Sequence, residues 1–135
     1  MMRRSMLALC LMALTVPACA SRYKVDTEAP AYAGKAKMTV KTNKTGNREL
    51  DIHVDHLAPA HRVDPSLRTY AVWISVPGHG VTKAGLLDYN PKRRTGKLSA
   101  TTPHAKFEVI ISLESNPSAS TPSQQVVLRK LVARN

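Results

Sequence analysis

Two stretches of the chain decide its fold: residues 69–76 read TYAVWISV and residues 107–113 read FEVIISL. In both, large apolar side chains recur at every second position, and no long apolar run with a helical spacing occurs elsewhere after residue 20. Alternation with a period of two predicts β-strands, because successive side chains of a strand point to opposite faces of the sheet. Residues 69–76 are apolar on both faces, which predicts a central strand with Trp73 as a core residue.

Five further short segments alternate in the same way, and turn-forming Gly, Pro and Asn residues separate them at intervals of about ten residues. They are residues 36–42, 49–57, 81–89, 97–101 and 125–133. Residues 58–67 contain two prolines and predict a loop, with one helical turn at residues 64–66 that Asp64 would cap. The sequence therefore predicts an all-β fold, a single immunoglobulin-like antiparallel β-sandwich of about seven strands. A small barrel is the alternative.

The first residues of the chain have the pattern of an export signal. Arg3 and Arg4 precede an apolar segment, residues 6–16, which at about 11 residues suits a signal peptide and is too short to span a membrane. Val16-Pro17-Ala18-Cys19 follows and resembles the bacterial lipobox. The resemblance implies a lipoprotein signal peptide over residues 1–18 and a diacylglycerol-modified, palmitoylated Cys19. The alternative is a secretory signal that is cleaved near Ala18 or Ala20.

These features predict a protein anchored by lipid in the bacterial cell envelope. No Asp follows Cys19, which favours the periplasmic side of the outer membrane if the envelope is Gram-negative. Cys10 would be removed with the signal, so the exported domain would contain no disulfide. Residues 19–34 predict a tether and residues 35–135 the domain, the alternative being that Val25 or Tyr32 packs onto the domain.

The chain is strongly basic, with a formal net charge of +11 that falls to about +9 when Arg3 and Arg4 are removed. An exported domain rarely meets nucleic acid, so we expect the membrane and either an envelope protein or an anionic envelope polymer as partners. Solubility alone is the simpler explanation of the charge. Candidate polyanion contacts are Lys92, Arg93 and Arg94, a basic run in a predicted turn.

Histidines and a carboxylate form the clearest candidate metal ligands: His53, Asp55, His56 and His61. Imidazole and carboxylate suit Zn²⁺ or Cu²⁺, but a strand points His53 and His56 to opposite faces. No G-x-S-x-G, HExxH or phosphate-loop motif occurs. Glu108 and Glu114 would lie about 20 Å apart on one strand, too far for a glycosidase pair. We therefore predict no enzyme activity and no cofactor.

The order of several short motifs is similar to a known type of envelope domain. The motifs are YAVWI at 70–74, GLL at 85–87, GKL at 96–98, TP at 102–103, FEVIISLE at 107–114, TPS at 121–123 and VVL at 126–128. Over residues 50–130 this order resembles the extracytoplasmic domain of anti-sigma-K-type factors, which implies an envelope sandwich of the sensing or binding type. Those factors carry a sigma-binding segment and a membrane-spanning helix before this domain. We expect neither here, so sigma binding is not implied.

The leading hypothesis is thus a non-catalytic envelope lipoprotein that acts as an interaction or structural module. The alternative is a periplasmic metal-binding lipoprotein that uses the His53, Asp55, His56 and His61 cluster.

Overall fold

Nine β-strands and one short helix make up residues 20–133, the part of the chain that the computed structural model describes. The predicted signal peptide and Cys19 lie outside this part. Within it, there is no helix with the length and hydrophobicity that a membrane crossing requires. The elements in chain order are β1 (Ser21–Asp26), β2 (Lys35–Thr42), β3 (Arg48–Asp55), α1 (Ala60–Val63), β4 (Thr69–Val76), β5 (Gly80–Leu86), β6 (Asp88–Asn90), β7 (Thr95–Thr102), β8 (Lys106–Glu114) and β9 (Val126–Ala133).

The strands form two antiparallel sheets. The five-stranded sheet has the order β1-β2-β3-β7-β6, and the four-stranded sheet has the order β5-β4-β8-β9. The order β2-β3-β7-β6 against β4-β8-β9 is the A-B-E-D and C-F-G arrangement of an immunoglobulin-like sandwich, and β5 lies where such folds place strand C′. The predicted all-β sandwich is confirmed, with nine strands instead of seven.

The main core lies between the two sheets and is built by the inward positions of each strand. Leu50, Ile52 and Val54 of β3 face Val72 and Phe107 of the other sheet, and all five are at most 3% exposed. Complete burial of one such side chain stabilises a fold by about 1.5–3 kcal/mol. The alternation seen in the sequence therefore corresponds to one continuous apolar layer.

The segment predicted as a tether is largely part of the fold. Residues 21–26 form β1, which pairs with β2 along its whole length, and the Glu28 N–H donates to the carbonyl of Val127 at 2.7 Å. Val25 packs against the core, whereas Tyr32 is 71% exposed. The domain thus begins at Ser21, so a spacer over residues 21–34 is a wrong prediction and the alternative for Val25 is right. This strand has only six residues, and Tyr23 and Val25 are its only large apolar side chains, so its pattern in the sequence is weak.

The predicted strand 81–89 is divided between the two sheets. β5 pairs with β4, and after Leu87 the chain continues as β6, which pairs with β7. Gly85 adopts a φ of +155° where the register of β4 and β5 shifts. Leu87 is buried and its N–H donates to the carbonyl of Tyr70 at 3.0 Å. A glycine at the irregularity allows the chain to cross from one sheet to the other.

The loop before β4 contains its helical turn four residues earlier than predicted. The helix spans Ala60–Val63, and Asp64 is extended with φ −153° and ψ 134°. Pro65 explains the difference, because the residue before a proline avoids the helical region. The Asp64 carboxylate instead accepts the Ser66 N–H at 2.8 Å and the Ser66 hydroxyl at 2.7 Å in a tight turn.

Trp73 is fully buried, as predicted, but not between the sheets. It lies on the outer face of the four-stranded sheet in a second, smaller core with Ala71 and Ile110. The Lys83 Nζ lies 5.6 Å from the centre of its ring and donates to the carbonyls of Pro117 and Ala119, the latter at 3.1 Å. The loop between β8 and β9 is thereby held over this face.

A chain of hydrogen bonds supports this second core. The Trp73 indole N–H donates to the Ser112 hydroxyl at 2.8 Å, and Ser112 donates to a carboxylate oxygen of Glu114 at 2.8 Å. The same oxygen accepts the Ser123 N–H at 2.7 Å. Ser112 is fully buried and Glu114 is 5% exposed. Because buried polar groups are costly without partners, this network fixes the loop in place.

Candidate anion-binding face

The outer face of the five-stranded sheet carries a row of basic residues, three lysines and one histidine, that crosses four strands. Lys24 of β1 lies opposite Lys37 of β2, Lys37 opposite His53 of β3, and His53 opposite Lys97 of β7. Neighbouring strands are about 4.8 Å apart, so this lysine row is about 15 Å long. Like charges in directly opposite positions destabilise a sheet unless an anion neutralises them.

The three lysines of the row take part in no salt bridge among the described residues, and Lys97 lies opposite Asp88 of β6. Lys24, Lys37 and Lys97 are exposed. Among residues 20–133 the salt bridges are His53 with Asp55 and Arg129 with Glu108, so none involves a lysine of the row.

An open groove of about 600 Å³ lies along the middle of the row. Its walls come from β2, β3 and β7, with Leu86 of β5 and Asp88 of β6. The lining includes Lys37, Lys97, Ser99 and Asp51. The Ser99 hydroxyl donates to Asp51 at 2.6 Å, which satisfies part of that carboxylate's hydrogen bonding. The groove therefore combines ammonium groups with hydroxyls and with two carboxylates, those of Asp51 and Asp88, along a shallow surface.

His53, a member of the row, is hydrogen-bonded to Asp55 of the same strand. The Nε2 of His53 lies 2.8 Å from a carboxylate oxygen of Asp55. This hydrogen bond is the main reason that the pKa of Asp55 is lowered, and the positive charge of Lys37 lowers it further. An ionised carboxylate only accepts hydrogen bonds, so Nε2 carries the proton that it donates. The pair therefore holds the His53 ring in a fixed orientation within the row.

The predicted metal ligands do not assemble. The structure brings His53 and Asp55 together, but His56 follows β3 in a turn with a φ of +55°, and His61 lies on α1. In the described part of the chain, no three or more His, Cys, Asp or Glu side chains form a group that could hold a metal ion. The predicted cluster of His53, Asp55, His56 and His61 therefore does not form.

The predicted polyanion contact adjoins the groove without lining it, because Lys92 and Arg93 line a second depression that shares Asp88 and Lys97 with the groove. Lys92, Arg93 and Arg94 are exposed in the turn between β6 and β7. The Asn90 side chain accepts the N–H groups of Lys92 and Arg93 at 3.1 and 3.2 Å, and Arg94 adopts a φ of +54°. Its carbonyl accepts the Leu57 N–H at 2.9 Å. The turn is thus well ordered by its own hydrogen bonds, and its basic side chains point to solvent.

Sequence reasoning missed the lysine row. Lys37 was visible as the outward residue of a predicted strand, but Lys24 lay in the supposed tether. The opposition of Lys37, His53 and Lys97 depends on the register of three strands. The alternation of charged residues in residues 21–26 is the one signal that could have suggested β1.

Comparisons with known proteins give no guide to the function of this sheet face. No protein-family model, curated protein or solved structure matches this chain. The resemblance to anti-sigma-K-type domains stays a prediction.

Proposed function

We propose that this chain is a lipid-anchored interaction module of the bacterial envelope that binds an anionic envelope polymer. The lysine row is the observation that carries the proposal. Lys24, Lys37 and Lys97 stand in one line on an exposed sheet face, where their mutual repulsion is relieved by a bound anion. The predicted acylation at Cys19 would keep this face among envelope polymers. The proposal does not include catalysis.

An extended polymer suits this geometry better than a small ligand. The row is about 15 Å long, with Lys24 and Lys37 one strand spacing of about 4.8 Å apart and Lys37 and Lys97 two spacings apart. The groove along it is shallow, and its lining combines the ammonium groups of Lys37 and Lys97 with the carboxylates of Asp51 and Asp88. A linear chain with regularly repeated negative charges can contact several lysines at once, each contact adding a modest electrostatic contribution that salt weakens.

Binding of polyphosphate, a simple linear polyanion, tests the proposal. The double variant Lys37→Gln/Lys97→Gln should bind more weakly, and the dependence of log Kd on log salt concentration should fall by about one for each lysine removed. The matched control is Lys92→Gln/Arg93→Gln, which removes the same charge from an exposed turn and should change little. Isothermal titration calorimetry at several salt concentrations measures both quantities. Equal weakening by the two variants would attribute binding to net charge alone, and a larger effect of the turn variant would place the contact there.

A further inference from the structure

The chain enters the sandwich from Cys19 at one particular end. Ser21, the first residue of β1, is two residues after Cys19, a distance of at most about 7 Å of extended chain. If Cys19 carries the lipid, as the proposed function assumes, no flexible spacer separates the sheet from the bilayer. The end that contains Ser21 must then lie close to the membrane surface.

The strand register shows which other segments share this end. Ser21 lies opposite Val40, near the turn at residues 43–47. Strand β7 ends at Thr102, opposite Arg48, and the β7–β8 turn at residues 103–105 follows it at the same end. The β4–β5 turn at residues 77–79 lies beside it. The rings of His79 and His104 are 5.0 Å apart between their centres. We call residues 41–48, 76–83 and 101–107 the anchor-side end.

The anchor-side end is basic without interspersed acids. None of its residues is Asp or Glu, in contrast to the lysine row, which has Asp51, Asp55 and Asp88 nearby. Its cations are Lys41, Lys44, Arg48, Lys83 and Lys106. Lys83 donates hydrogen bonds to carbonyls of the β8–β9 loop, and Lys41 lies opposite Glu49. Lys44, Arg48 and Lys106 remain as cations that take part in no salt bridge among the described residues.

We infer that the anchor-side end docks on anionic lipid headgroups through Lys44, Arg48 and Lys106. An acyl anchor and a basic patch together hold a protein on a membrane more firmly than one signal alone. Each Lys or Arg at an anionic surface favours the bound state by about fivefold, so three favour docking by about a hundredfold. Docking would fix the orientation of the sandwich and keep the lysine row facing sideways. This inference rests on the proposed anchor.

A quenching experiment on the mature, acylated full-length protein tests the docking. A dye is attached through Thr45→Cys at the anchor-side end, or through Ser115→Cys at the opposite end, where Ser115 is exposed and follows Glu114, the partner of Thr69 at the start of β4. The protein is reconstituted in phosphatidylcholine vesicles, with or without about one third phosphatidylglycerol, that contain a headgroup-linked quencher. With phosphatidylglycerol, we expect quenching at position 45 to rise severalfold and to exceed quenching at position 115.

Two charge variants distinguish docking from general attraction. Lys44→Gln/Arg48→Gln/Lys106→Gln should abolish the increase at position 45, whereas Lys24→Gln/Lys37→Gln/Lys97→Gln should leave it unchanged. Equal quenching at the two dye positions, or an increase that survives the first variant, would overturn the inference. Flotation with pure phosphatidylcholine vesicles reports the lipid anchor separately. Loss of flotation together with an unmodified mass would contradict the proposed anchor, whereas intact flotation without phosphatidylglycerol-dependent quenching would contradict only the docking.

Discussion

Replacement of Ser112 by alanine tests whether the buried hydrogen-bond chain stabilises the second core. Ser112 accepts the Trp73 indole N–H and donates to Glu114, both at 2.8 Å, and is fully buried. Without the hydroxyl, the buried indole N–H loses its partner at a cost of about 1–3 kcal/mol. Glu114 keeps the Ser123 N–H but loses its other donor. Together these losses predict a decrease of about 2–4 kcal/mol in the free energy of unfolding.

Equilibrium unfolding in urea, followed by circular dichroism, measures this decrease. Ser99→Ala is the matched control, because Ser99 also donates to a carboxylate, that of Asp51 at 2.6 Å, but at an exposed site. Water can replace that bond, so the control should change the free energy by less than about 0.5 kcal/mol. With a slope of about 1–3 kcal/mol per molar urea, the Ser112→Ala midpoint should fall by at least about 0.7 M.

A double-mutant cycle assigns the effect to the indole. Trp73→Phe removes the N–H, so Ser112→Ala should destabilise the Trp73→Phe protein less than it destabilises the wild type. The two decreases in the free energy of unfolding should differ by about 1 kcal/mol or more. If Ser112→Ala and Ser99→Ala destabilise the protein equally, the buried network does not contribute as argued. If the cycle shows no coupling, the loss does not arise from the Trp73 bond.

Two further predictions concern alkaline stability and the anchor. Burial raises the pKa of the Tyr70 phenol, whose hydroxyl donates to the carbonyl of Ala58 at 2.6 Å. The neutral, buried phenol therefore contributes its full stabilisation of the fold below the pKa of about 10 that it has in the unfolded chain, and this contribution is lost as the pH rises above that value. Urea unfolding at stepwise increasing pH should therefore show a smaller alkaline decline for Tyr70→Phe than for the wild type or the exposed control Tyr32→Phe, and parallel declines would contradict this. In bacterial cells, a fatty-acid analogue should label the wild type but not Cys19→Ala; unchanged labelling of the variant would show that Cys19 is not the acylation site.

The local alternation of apolar and polar residues was enough to predict most of the strands. Period-two alternation in residues 69–76 and 107–113 predicted the two strands at the centre of one sheet, because alternation records which face of a strand is buried. It failed where strands are very short: β1 and β6 contain six and three residues. The Asp64–Pro65 pair could have placed the end of the helical turn, since proline restricts the residue before it.

The candidate anion-binding face could be identified only from the register of the strands in the five-stranded sheet. A slip of one residue between β2 and β3 would turn Lys37 away from His53 and bring other side chains opposite. The sequence alone does not contain that information, because inter-strand pairing depends on packing between distant segments. Trp73 shows the same limit: its burial was predictable from an apolar strand, but the loop that covers it and the Ser112 and Glu114 partners come from remote positions.

By itself, the sequence determined an all-β sandwich, the positions of its long central strands and the basic character of the chain. These properties depend on composition and on local alternation, which each segment carries within itself. Only the tertiary structure decided that β1 joins the sheet, that three lysines align around His53, and that Lys44, Arg48 and Lys106 share the end where the chain enters. Such neighbours are set by strand order and register, which are properties of the packed molecule as a whole.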